Sequence, residues 1–187
     1  MCIIRDKAVA VLDRMAKCAG GWRDMVLAAR THNVAAQAST LGKRVAMFGE
    51  EIVHWTWAWV SIMDRYRVRG LKGAVGTQLD QLSLFAKNAD IVRRLEERIC
   101  SHLGIASKWM NVGQVYPRSL DFEVISGLVG LSSGPSSFCK TWRLMVGHEL
   151  CTEGFAKGQT GSSAMPHKQN PRSCEPVSYT HLRAHET

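Results

Sequence analysis

The sequence predicts an all-α chain, a segment of a long-helix bundle. Apolar residues recur at alternating four and three spacings from Leu41 to Tyr66, and a shorter seam repeats the pattern from Ile4 to Cys18. Strand alternation is nearly absent. The 187 residues suit one core of ordinary size, and 45% apolar with 21% charged residues is a globular composition, not a disordered one.

Taken in order, the first seam is Ile4, Ala8, Val11, Met15 and Cys18, stopped by Gly20-Gly21. Residues 30–37 then read as a polar loop, with His32 just before a helix. The main seam, Leu41, Val45, Phe48, Ile52, Trp55, Trp59, Ile62 and Tyr66, predicts a helix of roughly 40 Å, long enough to need equally long neighbours. Its Trp55, Trp57 and Trp59 read as helix-packing surface. Ile91, Leu95 and Ile99 follow a candidate cap at Asp90, and residues 113–118 form a second polar loop. Val124, Leu128 and Leu131 mark a helix that should kink or break at Gly134-Pro135. Its continuation carries Phe138, Trp142 and Met145 and runs out before Gly154.

Lys and Arg number 24 against 16 Asp and Glu, a net charge of +8. Such a surface either neutralises nucleic-acid phosphates or draws a small polyanion into a cleft. The basic residues are spread along the chain without interleaved stacking aromatics, so no nucleic-acid partner is expected. No apolar run is long enough to span a membrane, and charges at Arg5, Asp6, Lys7, Asp13, Arg14 and Lys17 break the first segment, against a signal peptide. Cysteines 2, 18, 100, 139, 151 and 174 form no C-x-x-C pair, so reduced thiols and a cytoplasmic location are the expectation.

Most of the chemistry lies between Gly154 and Glu175. Gly154, Gly158 and Gly161 allow a loop to close over a ligand, Ser162 and Ser163 supply hydroxyls, and Lys168 adds positive charge where an anion would collect. No G-x-x-x-x-G-K-[ST] occurs, which excludes a Walker loop. The content suits stabilisation of a carboxylate-derived anion.

The run Gly161-Ser162-Ser163-Ala164-Met165-Pro166-His167-Lys168, followed by Asn170-Pro171, resembles the signature of the fumarase/aspartase superfamily. Together with Gly154-Phe155-Ala156-Lys157-Gly158-Gln159 and Arg30-Thr31-His32, it looks most like the adenylosuccinate lyase branch. The likeness extends from about Arg5 to Val177 and implies that residues 1–177 are part of a central helical-bundle domain, with the signature loop at 154–175.

The resemblance implies β-elimination of fumarate from succinylated purine-pathway nucleotides, with no metal and no organic cofactor. It makes Ser162 the base, His32 the acid and Glu175 the carboxylate partnered with that histidine. Thr31, Gln114, Ser163, Lys168 and Asn170 match substrate contacts, and Arg118 lies near Gln114. It also implies a homotetramer whose site is assembled from several subunits, in proteins longer at both ends. Two alternatives stay open: another superfamily enzyme, such as a carboxymuconate cycloisomerase, or an inactive helical module that associates through the Leu41 to Tyr66 seam. Binding of AMP would favour the lyase over the cycloisomerase.

Residues 178–187 resemble no part of that superfamily and look like a translated adaptor sequence. His181 and His185 have the spacing of metal ligands on one helix face, but no third ligand is evident and no metal site is expected.

Overall fold

In the computed structural model, which describes residues 1–177, helix α1 (Cys2–Gly21) leads into strands β1 (Val26–Thr31) and β2 (Val34–Thr40) and then into α2 (Leu41–Arg65). Short β3 (Arg67–Val68), α3 (Leu79–Leu84), α4 (Ala89–Leu103), β4 (Ser107–Lys108) and α5 (Ser119–Gly147) follow. His181 and His185 lie outside the described residues. The chain divides into two compact units, one of Met1 with Trp57–Leu128, the other of Cys2–Thr56 with the residues from Val129 onward. Among the described residues, no helix is long and apolar enough to cross a membrane.

In the second unit, the α2 seam is the core. Leu41, Val45, Phe48 and Ile52 are buried, together with Leu131, Cys139 and Met145 of α5. An aromatic chain extends that core: Phe48 meets Phe138 edge-on at 5.7 Å, Phe138 stacks on Trp142 at 5.5 Å, and Trp142 stacks on Trp22 at 6.4 Å. Small residues allow the helices this close. A Cβ on Gly134 would lie 2.7 Å from Ile52, and one on Gly130 would run into the Trp55 ring. Gly42 similarly admits the backbone of Ala19 and Arg23.

Helix α1 has no fully buried residue. Its half-buried stripe is Ile4, Ala8, Leu12, Met15 and Ala19, so Val11 and Cys18 of the expected seam face solvent instead. The buried face of a straight helix drifts against a strict 3.5 period, and here the shift selects Leu12 and Ala19.

The expected break at Gly134-Pro135 does not occur, because α5 continues through Pro135. One turn earlier, the Ser132 hydroxyl donates to the Val129 carbonyl (2.7 Å) and the Ser133 hydroxyl to the Gly130 carbonyl (2.6 Å). An interior proline costs about 3 kcal/mol, and the packing of Gly134, Cys139 and Met145 outweighs it.

Residues 30–37 are the second departure, lying mainly in a hairpin. The register runs from Val26 opposite Thr40 to Thr31 opposite Val34, with an irregularity between Ala29 and Arg30. His32 (φ 50°) and Asn33 (φ 64°) form the two-residue turn, the left-handed pair that matches strand twist. Strand signal is weak here because alanines supply little β propensity and both faces are largely exposed.

In the first unit, Trp59 and Ile62 are buried, and a Cβ on Gly127 would lie 2.8 Å from both. Trp57 is 71% exposed, contrary to its reading as packing surface, because two helical steps turn it about 200° from Trp55 and Trp59. Helix α4 is capped by Asn88, not Asp90: its side chain accepts from the Asp90 and Ile91 amides, and Gly104 closes the helix in the left-handed conformation. Its buried face is Val92, Glu96 and Cys100, one position on from the expected seam.

Glu96 joins three segments of this unit. Its carboxylate lies 2.9 Å from Lys72 and 3.0 Å from Lys108, all three side chains being largely buried. Strands β3 and β4 pair in parallel beside it, Arg67 opposite Ser107 and Val68 opposite Lys108. Desolvation pushes the Glu96 carboxyl up, but hydrogen bonds and charge from Lys72 and Lys108 outweigh it and hold the group below its ordinary 4.5.

Two stability measurements follow from this packing. Gly130→Ala gains about 1 kcal/mol of helix propensity but forces the Trp55 ring aside, for a net loss of about 1–2 kcal/mol in urea denaturation. Glu96→Ala strands two buried ammonium groups and lowers stability by about 3–5 kcal/mol. In the unsubstituted chain, the contribution of Glu96 is complete above its ordinary value of 4.5 and is lost as pH falls through the depressed folded value. The difference between the two chains in urea midpoint therefore narrows in acid.

Candidate active site

Residues 151–173 contain no strand or helix, and a helical turn at 174–177 follows. So glycine-rich a segment is held by polar ties at its ends. The Glu153 carboxylate accepts from the amides of Ser173 (3.0 Å) and Cys174 (3.3 Å), capping the closing turn. The Thr152 hydroxyl bonds the Gln169 side chain and accepts from the Gly154 amide at 2.9 Å. With both ends pinned, the residues between form a compact surface loop.

Inside that loop, Gly161 packs directly on the Lys168 carbonyl, where any Cβ would collide with backbone. Asn170 Nδ2 donates to the Gly161 carbonyl (3.2 Å), and the Lys168 amide to that of Met165 (3.0 Å). These contacts tie Gly161 to residues 168–170 and set 162–167 as the tip. Ser162 is half-buried, and its Oγ accepts from the Ala164 amide at 3.3 Å. Ser163 and Lys168 are exposed, as are Met165 and His167 between them.

Burial would raise the Glu153 carboxyl, but the Ser173 and Cys174 donors outweigh it and hold the group below its ordinary 4.5. Burial, reinforced by a hydrogen bond to Glu153, raises the Cys174 thiol, and burial also raises Cys139 beside it. All six cysteines are free. The Cys139 and Cys174 thiols are protonated packing groups and not nucleophiles.

Thr31 ends β1, and His32 occupies the exposed hairpin turn. His32 lines a cavity of about 450 Å³ that also includes Arg30, Lys43, Arg44, Met145 and His148. No residue of the 154–175 loop lines it. Lys168 and Asn170 line another cavity, with Arg143, Thr152 and Pro171. Glu175 is exposed on the closing turn, its amide donating to the Pro171 carbonyl, and among the described residues no ion pair joins it to His32. Gln114 is an exposed residue of the other unit, next to Gly113, whose carbonyl accepts from Arg69 (2.7 Å). The structure thus brings Ser162, Lys168 and Asn170 into one loop and leaves His32 in a separate cavity.

Sequence reading missed Glu153, which accepts from the Ser173 and Cys174 amides and fastens the loop, and the separate Thr152–Gln169 tie. The available signal was a lone acidic residue at the start of a glycine-rich run. Among the described residues, no group of three or more His, Cys, Asp or Glu side chains is placed to hold a metal ion. Chemically, the loop offers a hydroxyl that accepts an amide hydrogen bond, and the same loop carries a cation at Lys168 and an amide side chain at Asn170. That set suits removal of a proton beside an anionic group.

The chain belongs to the lyase family, whose model matches residues 4–184. It is 35% identical to an adenylosuccinate lyase of Saccharomyces cerevisiae over 175 residues, 94% of this chain and 36% of that protein. An adenylosuccinate lyase of Caenorhabditis briggsae is 32% identical over 172 residues, 92% of this chain and 36% of that protein. The chain therefore spans little more than a third of the length of these relatives. A crystal structure of a fumarate lyase from Mesorhizobium sp. BNC1 has the same fold, with a TM-score of 0.74 at 19% identity, covering 99% of this chain and 38% of that one.

If Glu153 fastens the loop, Glu153→Ala releases it. Two hydrogen bonds to a charged group are lost, on the order of 2 kcal/mol in stability, and limited proteolysis between Gly154 and Lys168 accelerates. In the unsubstituted chain, protection holds above the carboxyl's ordinary 4.5 and is lost as pH falls through its depressed folded value. In Glu153→Ala, this pH dependence is absent.

Proposed function

We propose that this chain is the loop-bearing central segment of an adenylosuccinate lyase, acting on succinylated purine nucleotides and releasing fumarate. The observation that carries the reading is Ser162, half-buried at the tip of a doubly anchored loop, with its Oγ accepting the Ala164 amide. A donor aimed at that oxygen favours its negative form, which a serine needs in order to act as a base. Family membership and the adenylosuccinate lyase relatives support the substrate class.

In the proposed reaction, the Ser162 alkoxide takes the proton from the carbon beside the succinyl carboxylate. The electron pair left behind delocalises into that carboxylate, where Lys168 and Asn170 stabilise the added charge. The carbon–nitrogen bond then breaks to give fumarate, and His32 as imidazolium donates its proton to the departing nitrogen. Thr31, Ser163 and Gln114 contact substrate, and Glu175 favours the charged form of His32.

On this reading the acid and base meet between copies of the chain, which is supported by a cavity lined by His32 that includes no residue of the signature loop. A cytoplasmic homotetramer, with His32 of one copy facing Ser162 of another, satisfies that requirement.

Replacing the matching segment of the Saccharomyces cerevisiae relative with residues 5–177 tests the reading. The chimera is expected to release fumarate from adenylosuccinate, read by ultraviolet absorbance. Ser162→Ala or His32→Ala lowers kcat by about 10²–10⁴-fold. Mixed and reassembled, the two variants recover measurable turnover, because some sites then draw an intact base and an intact acid from different copies. An active chimera indifferent to Ser162→Ala sinks the assignment.

A further inference from the structure

Glycines follow strand β3 at every third position. Gly70 (φ 80°), Gly73 (φ 72°) and Gly76 (φ 90°) all take the left-handed region, which folds residues 70–78 into a compact turn. Gln78 closes that turn, its amide donating to the Lys72 carbonyl (3.0 Å) and its Nε2 to the Leu71 carbonyl (2.8 Å). Lys72 pairs in turn with Glu96 of α4, so the glycine turn is fixed to the buried ion cluster. Its other side meets residues 112–113. A Cβ on Gly76 would collide with the Val112 carbonyl, so backbone packs on backbone there.

Gln114 follows directly, in a segment held at both ends. The Trp109 amide donates to the Val68 carbonyl (2.9 Å), and the Tyr116 hydroxyl donates to the Asp121 carboxylate (2.8 Å). Between these ties, residues 110–115 make one hydrogen bond among the described residues, and it comes from Arg69. Arg69 Nη2 donates both to the Gly113 carbonyl and to the Gly73 carbonyl, each at 2.7 Å. Bonds this short from a charged donor are stronger than neutral ones. The guanidinium therefore joins the glycine turn to the residue next to Gln114, and it stays charged at any pH the fold survives.

We propose that Arg69 is a positioning residue for Gln114, fastening residues 110–115 to the glycine turn so that the glutamine amide meets substrate at a fixed place. The inference rests on the elimination reading for Gln114 as a substrate contact, whereas the fastening is read without turnover. Arg69 acts through Gln114, so its effect on substrate vanishes once that glutamine is gone.

Two measurements test the proposal. In the 187-residue chain, Arg69→Met is expected to speed amide hydrogen exchange at residues 110–115 by about tenfold or more, with exchange in α4 unchanged. Unaltered exchange at 110–115, or equal acceleration in α4, overturns it. In the chimera described above, Arg69→Met and Gln114→Ala each raise KM for adenylosuccinate on the order of tenfold, with kcat within about threefold. The double variant is no worse than Gln114→Ala alone. Arg93→Gln, which removes an exposed charge from α4, leaves KM within about twofold. Single effects that multiply to about a hundredfold mean that Arg69 acts on substrate by its own charge, and they overturn the proposal. So does a Gln114→Ala chimera with unaltered KM, even where the exchange result holds. The elimination reading fails separately, on an active chimera indifferent to Ser162→Ala.

Discussion

Close approach between α2 and α5 is the constraint from which the rest of the structure follows. Gly130 and Gly134 present no side chain where Trp55 and Ile52 press in, and Gly127 does the same for Trp59 and Ile62. Glycines inside a helix carry a propensity penalty of about 1 kcal/mol each, and burial of a large side chain contributes about 1.5–3 kcal/mol. The fit between bare backbone and bulky ring therefore favours the helix pair despite three glycines and Pro135. Both functional elements are tied to these helices. Strand β2 runs directly into α2 and carries the His32 turn, and α5 ends only a few residues before the Glu153 anchor.

Electrostatics stabilise the segments that apolar packing leaves open. Where the chain between helices is too polar or glycine-rich to pack, a partly or fully buried carboxylate collects donors instead. Glu96 binds Lys72 and Lys108, and Glu153 binds two backbone amides at the foot of the signature loop. Both carboxyls stay ionised because their donors exceed the desolvation penalty. Each anchor is local, so the loop tip that carries Ser162 is positioned without being buried.

On the elimination reading proposed above, this division between scaffold and tip has a chemical purpose. The base sits on a loop whose ends are fixed and whose tip is exposed, and the acid sits on a two-residue turn with left-handed backbone. Neither lies deep in its own unit. Placing reacting groups at the ends of elements leaves them free to meet across an interface between copies. Membership of the lyase family accords with such an arrangement.

The α2 seam was legible because Leu41, Val45, Phe48, Ile52, Trp59 and Ile62 recur with the period of the helix that buries them. The loop was legible because its glycines and polar residues interrupt the helical period, and a local run of residues carries that information. The hairpin was not: five alanines between Ala28 and Ala38 have no period that distinguishes strand from loop, and the pairing of Val26 with Thr40 is non-local. The outward turn of Trp57, the passage of α5 through Pro135 and the Glu153 anchor depended on neighbours distant in sequence. Sequence period and residue composition are properties of short stretches and so determined the α2 helix and the glycine-rich loop. Tertiary structure alone decided which groups share a cavity, setting His32 with Arg30, Lys43, Arg44 and His148, because cavity walls are assembled from segments that meet only after the chain has folded.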